Sequence, residues 1–190
     1  MTPPLVAKVG GSLFDLPDLR DRLRVWLSRQ EGRRVLFVPG GGRVADAIRS
    51  LDQTHQLREA TAHWLALRVL TVNAHFLSAL MGIEVVSTLA EFSAPVAVLD
   101  AYAFCQDDEG RTGTLEHSWR VTSDSVAARA ASLVGGELVL LKSTNLPVAM
   151  TWTEASRSGL VDEAFAKVVA DNRVRVSWVN LRGADFEARR

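Results

Sequence analysis

Apolar runs at 5–9, 34–38, 95–99, 137–141 and 174–179 alternate along the chain with segments of helical periodicity at 18–30, 43–51, 57–81, 123–134 and 160–171. Runs this short, apolar throughout and bounded by turn residues, read as strands buried on both faces. Their alternation with helices is how a parallel sheet is wound. The pattern predicts an α/β fold: a three-layer αβα sandwich with a mainly parallel central sheet, built by residues 1–190 as one domain. A further strand is expected near Glu84-Val85-Val86. The stretch 101–115 reads as a polar hairpin or lid, with Gln106-Asp107-Asp108-Glu109-Gly110 as a solvated turn. The C-terminal 185–190 is expected to fray. The helix 57–81 carries Leu57, Trp64, Leu65, Leu70, Val72, Phe76 and Leu80, too many apolar residues for one narrow stripe, so a second buried face is implied.

Two strand candidates end in glycine. Lys8-Val9-Gly10-Gly11-Ser12 follows the first, and Pro39-Gly40-Gly41-Gly42 follows the second, each before a helical pattern. Glycine lets backbone N–H groups approach an anion, a following helix N-terminus adds its dipole, and Lys8 supplies a cation. The first loop matches neither GxxxxGK[ST] nor GxGxxG. A single such loop is more simply a tight turn. Two of them, one crossover apart on the C-terminal edge of a parallel sheet, suggest paired phosphate sites, donor and acceptor. A third segment, Val121 to Ala128, reads as a helix start with Ser123 as N-cap. Alone, Asp124 in that first turn would be read as complementing the helix dipole.

These three runs, KxGGS at Lys8 to Ser12, PGGG at Pro39 to Gly42 and SDSVAA at Ser123 to Ala128, resemble the amino acid kinase superfamily, which includes acetylglutamate, uridylate and isopentenyl phosphate kinases. Within it the chain is most similar to the kinases of methanofuran biosynthesis, through His117-Ser118-Trp119-Arg120-Val121-Thr122-Ser123-Asp124-Ser125 and, more weakly, Val161-Asp162-Glu163-Ala164-Phe165. The resemblance implies phosphoryl transfer from ATP to an aminomethylfuran methyl phosphate. Magnesium would ride on the nucleotide phosphates. Lys8, read as an exposed strand-end lysine, would stabilise the transferring group, and Asp124 would hold Lys8; Asp124→Asn is expected to cost activity with little change in melting temperature. Gly10, Gly11 and Ser12 would cradle the donor phosphates, with Lys142 and Ser143 on the nucleotide side. Gly40, Gly41, Gly42, Arg43, His63, His117, Trp119 and Ser123 would face the acceptor.

Some of these positions admit a plainer reading. Arg43 fits a solvated helix position, and Lys142 an exposed strand-end lysine, equally well. The segment 142–147, Lys142-Ser143-Thr144-Asn145-Leu146-Pro147, departs from the family's T-D-V-D-G-V-Y turn, and no lysine stands where acetylglutamate kinases have one, because Asp162 falls there. A degenerate nucleotide- or phosphate-binding protein, or a kinase of a carboxylate or carbamate, therefore remains as an alternative. The superfamily's dimers, built on a comparable helix, imply a homodimer through the helix 57–81.

Bulk properties narrow the classes further. Twenty-two basic and twenty-two acidic residues cancel, which gives no electrostatic case for nucleic acid. The single Cys105 forms no internal disulfide, and no histidine has metal-ligand spacing with it or with another histidine, so no metal site is expected. No apolar run reaches membrane-spanning length and the first residues lack a signal-peptide pattern, so the cytoplasm is the expected location.

Overall fold

The structure, a computed structural model, describes residues 2–30 and 32–183. Its elements run β1 (Leu5–Val9), a 3-10 turn (Gly11–Leu13), α1 (Leu19–Ser28), β2 (Val35–Pro39), α2 (Gly42–His55), α3 (Glu59–Met81), β3 (Val85–Val86), β4 (Val96–Leu99), α4 (Ala101–Asp107), α5 (Ser123–Leu133), β5 (Glu137–Lys142), α6 (Trp152–Arg157), α7 (Phe165–Asn172) and β6 (Val176–Asn180). The strands form one sheet in the order β3-β4-β2-β1-β5-β6, and every pairing is parallel. Strand β1 lies inside the sheet with β2 and β5 on either side. Leu5 stands opposite Val35 on one neighbour and Glu137 on the other.

Side chains alternate across the sheet, and both faces are covered. Leu5, Ala7, Val9, Phe37, Val139 and Leu141 pack with Leu23 and Trp26 of α1 and Leu77 of α3. Val6, Leu36, Val38, Leu138 and Leu140 pack on the other face with Val126 of α5 and Phe165 of α7. This is the αβα sandwich that the doubly buried runs predict. Helix α3 contributes Leu67 and Leu70 to one core and Ala74, Leu77 and Met81 to the other, which accounts for its second buried face.

Three expectations need correction. The stretch 101–115 begins as helix α4, not a hairpin, because the Asp100 side chain caps it by accepting from the Tyr102 and Ala103 backbone N–H groups. Within the expected solvated turn, Asp108 is only 3% exposed and takes a bidentate pair from Arg129, at 2.8 and 2.9 Å. Helix α3 does satisfy the length and hydropathy of a membrane span, but it packs against β2, β4 and α4 and buries His63 and Asn73, as a core helix does. Helix α6, unforeseen, starts in a capping box formed by Thr151 and Glu154. The segment 185–190 lies outside the described residues.

Candidate active site

The period of two along a strand decides which face a lysine meets. Lys8 follows Val6 by two residues and Lys142 follows Leu140 by two, so both point to the face where α5 lies against β1 and β5. There they meet Asp124. Lys8 Nζ is 2.8 Å and Lys142 Nζ 2.9 Å from Asp124 Oδ1, and Lys142 also donates to Oδ2 at 3.0 Å and to the Leu160 carbonyl at 2.8 Å. Lys8 and Asp124 are each 5% exposed, and the Lys142 side chain 12%, so neither lysine is the exposed strand-end residue the sequence suggests. Burial favours the neutral form of Asp124, but the two ammonium groups outweigh it and hold the carboxyl below its usual range. Lys142 is pushed down to about 8, by burial first and then by the Lys8 charge, against the pull of Asp124.

The start of α5 is braced from outside the motif. Its N-cap is Thr122, not Ser123, and no side chain of the motif caps it. Asp162 does that work: it accepts from the backbone N–H groups of Thr122 and Ser125 and from both their hydroxyls, each within 2.9 Å. Burial and the neighbouring Asp124 charge push the Asp162 carboxyl up to about 6, against those hydrogen bonds. Asp162 thus fixes the turn that aims Asp124. In the sequence it stood in the weaker run Val161 to Phe165 and where a lysine was sought, with no role assigned to it.

The two glycine loops touch. A Cβ on Gly11 would lie 2.1 Å from the Gly42 backbone nitrogen, and Gly42 itself has φ +56°. Only glycine allows both the close approach and the left-handed turn. Gly10 donates to the Leu141 carbonyl at 2.8 Å and Gly40 to the Val9 carbonyl at 2.7 Å, so each loop is tied to a neighbouring strand end. Asn73, buried in α3, donates to the carbonyls of Gly40 and Gly41 at 2.7 and 2.9 Å and holds the second loop in place. A single amide in a mostly apolar helix was its only sequence signal. Ser12 and Ser143 hydroxyls lie 2.9 Å apart, which brings Gly10, Gly11, Ser12, Lys142 and Ser143 to one edge.

Of the residues expected to face an acceptor, Gly41, Gly42, His63, Trp119 and Ser123 line one cavity of about 180 Å³, together with Asp46 and Arg49. That is smaller than a drug-sized pocket and suits a small ligand. Three sequence assignments change. Gly40 backs the loop from behind without lining the cavity. Arg43 opens instead onto a neighbouring cleft with Gly11, Ser12, Phe14 and Phe76, and Arg49 takes the cavity-facing place. His117 stacks on His63 at 5.5 Å from outside the cavity, with its Nε2 2.7 Å from Glu109 Oε1. His63 donates from Nδ1 to the Ser118 carbonyl at 3.0 Å, and burial lowers its pKa, so the neutral ring keeps Nε2 as an acceptor. Trp119 is held by Nε1 donating to Asp52 at 2.6 Å and by the Arg49 guanidinium 4.7 Å from its ring. Among the described residues no three His, Cys, Asp or Glu side chains converge as a metal site would need.

The chain is 24% identical over 142 residues to the (5-(aminomethyl)furan-3-yl)methyl phosphate kinase of Methanocaldococcus jannaschii, a match covering 72% of this chain and 63% of that protein. It is similar in structure to the uridylate kinase of Archaeoglobus fulgidus, with a TM-score of 0.66 at 17% identity over 93% of this chain and 90% of the other. The UMP kinase of Ureaplasma parvum gives a TM-score of 0.64 at 13% identity, over 100% of this chain and 96% of the other. Residues 3–145, which carry both glycine loops and the Asp124 turn, match the amino acid kinase family, and the chain belongs to that family.

Proposed function

We propose that the chain is an ATP-dependent kinase of a small phosphomonoester, with (5-(aminomethyl)furan-3-yl)methyl phosphate as acceptor and its diphosphate as product, in methanofuran-type cofactor synthesis. The observation that carries this reading is the pair of buried lysines bridged by Asp124 at the edge where the two glycine loops meet. Phosphoryl transfer places charge on the equatorial oxygens of a loose transition state, so positioned cations supply most of the catalysis. Lys8 and Lys142 are fixed by Asp124 before any ligand arrives, so little reorganisation is left to the reaction.

The same triad argues about the nucleophile. Asp124 is committed to two ammonium groups, and its depressed pKa makes it a poor proton acceptor. An alcohol acceptor would need a base at that place, whereas a phosphomonoester is already largely ionised at neutral pH. An acceptor phosphate oxygen bonds to the γ-phosphorus, the β–γ bridging P–O bond breaks, and ADP leaves. Carboxylates and carbamates are also ionised; the similarity to the furan phosphate kinase favours the phosphate. Gly10, Gly11, Ser12 and Ser143 would hold ATP, with magnesium carried by its phosphates.

Helix α3 exposes Leu65, Val72 and Phe76, and α2 exposes Val44 and Leu51; Val72 is 59% exposed. A second copy of the chain is the proposed cover for this apolar face, giving a cytoplasmic homodimer. Sedimentation should then return twice the chain mass, and Val72→Glu should halve it.

The deciding experiment measures ADP from ATP and magnesium with each acceptor. Stimulation by the furan methyl phosphate and not by acetylglutamate or carbamate supports the assignment. Nucleotide binding without ADP from any phosphomonoester points to a degenerate kinase, and stimulation by a carboxylate to an amino acid kinase.

A further inference from the structure

The geometry points to Asp46 as the residue that reads a cationic group on the acceptor. This rests on the phosphomonoester reading above and deepens it, because it makes the preferred acceptor an amine-bearing phosphate.

The carboxylates around the acceptor cavity are nearly all occupied. Asp52 is taken by Trp119, Asp162 by the turn at the start of α5, and Asp124 by the two lysines. Asp46 lines the cavity from an exposed position on α2 and, among the described residues, has no hydrogen-bond or ion-pair partner. Arg49, one turn further along α2 and on the same cavity wall, lies over the Trp119 ring and forms no ion pair with it. A solvated carboxylate at the mouth of a cavity that takes a phosphate repels the ligand's own charge. The repulsion becomes attraction when the ligand carries a cation at its other end.

The cavity has room for that division of labour. The N-terminus of α2 at Gly41 and Gly42, together with Ser123, suits an anion. Leu67, Leu70 and Val121 give an apolar wall for a small ring. Asp46, one turn into α2, then faces a primary ammonium across the ring. A charge-assisted hydrogen bond of this kind distinguishes an amine from its uncharged analogue by about 10- to 100-fold. Asp46 also borders the cleft that Arg43 lines, so the cation is placed where the two openings join.

The test compares wild type with Asp46→Asn, using the aminomethyl acceptor and the analogue in which a methyl group replaces the aminomethyl group. Both kcat/KM and calorimetric acceptor binding are measured. The expected wild-type preference for the amine is about 10- to 100-fold, carried mainly in KM, and the variant should bring the ratio of the two acceptors close to unity. A variant that changes both acceptors by the same factor, or neither, shows that Asp46 is a solvated helix residue and overturns the assignment while leaving the kinase reading intact. If wild type phosphorylates neither acceptor, the furan-phosphate assignment fails and this one fails with it.

Discussion

Asp124→Asn removes one negative charge from between two buried ammonium groups. The size of the effect follows from how little water reaches them: Asp124 and Lys8 are 5% exposed. Removing one partner of a buried ion pair typically costs about 3–5 kcal/mol, because a charge stays buried without its counterion. For a domain of this size that is a fall in melting temperature of roughly 6–20 °C. The burial therefore predicts a clear loss of stability where the sequence alone suggested little change.

The loss should also depend on pH, with a sign that can be worked out. Lys142 holds its proton less tightly in the folded protein, at about 8, than at its ordinary value of 10.5. Between those values the unfolded chain binds more protons, so wild-type stability rises with pH across that window. Without Asp124 the folded pKa of Lys142 falls further, and the rise begins at lower pH. Once Lys142 is neutral in both proteins, one of the two unpaired charges is gone. Urea denaturation of both proteins at pH 7 and pH 9.5 should thus show a large difference at pH 7 and a smaller one at pH 9.5. The folded fraction of the variant should turn over about a hundred- to thousandfold more slowly. A stability difference below about 1 kcal/mol at pH 7 would falsify the buried-triad reasoning, since that is the range of an exposed pair; so would a difference that does not change with pH.

Three further outcomes follow from single contacts. Wild-type kcat should fall as pH rises through about 8, when Lys142 loses its charge, and Lys142→Arg should move that alkaline limb upward; an identical limb in both profiles assigns it to another group. Gly11→Ala places a methyl group 2.1 Å from the Gly42 nitrogen, and forcing the loops apart should lower activity by more than about a hundredfold by misaligning donor and acceptor; near-normal kinetics would show that the contact does not set alignment. Asp108→Ala leaves Arg129 buried without its bidentate partner, so calorimetry should report a loss of about 3–5 kcal/mol, whereas a loss below 1 kcal/mol would mean that water reaches the guanidinium.

What the sequence revealed and what it hid follow from the range of the physics involved. The strands were legible because residues such as Val35 to Val38 are apolar on both faces, a local property, and the glycine loops because backbone crowding and turn geometry leave few other residues possible. Lys8 and Asp124 were found through motifs. Their meeting with Lys142 needed the strand order, which places β5 beside β1 although most of the chain separates them. Arg43 and Arg49 show a finer limit. Six positions along a helix turn a side chain through about 240° net, so a small uncertainty in where α2 begins exchanges one arginine for the other at the cavity wall. The left-handed φ at Gly42 sets that start, and no periodicity count contains it. Asn73 and Asp162 escaped for a different reason: each acts on backbone groups of a distant segment, and a hydrogen bond to a carbonyl or N–H leaves no pairing signature in side-chain type. Helices α4 and α6 belong to neither class. The Asp100 cap before an apolar stretch and the Thr151-x-x-Glu154 box are local signals, so both helices were readable from propensity and capping alone. The site thus divides along one line. Most groups proposed to contact phosphate carry local motifs, while the groups that aim them are supplied by tertiary structure, and it is among the latter that a single sequence says least.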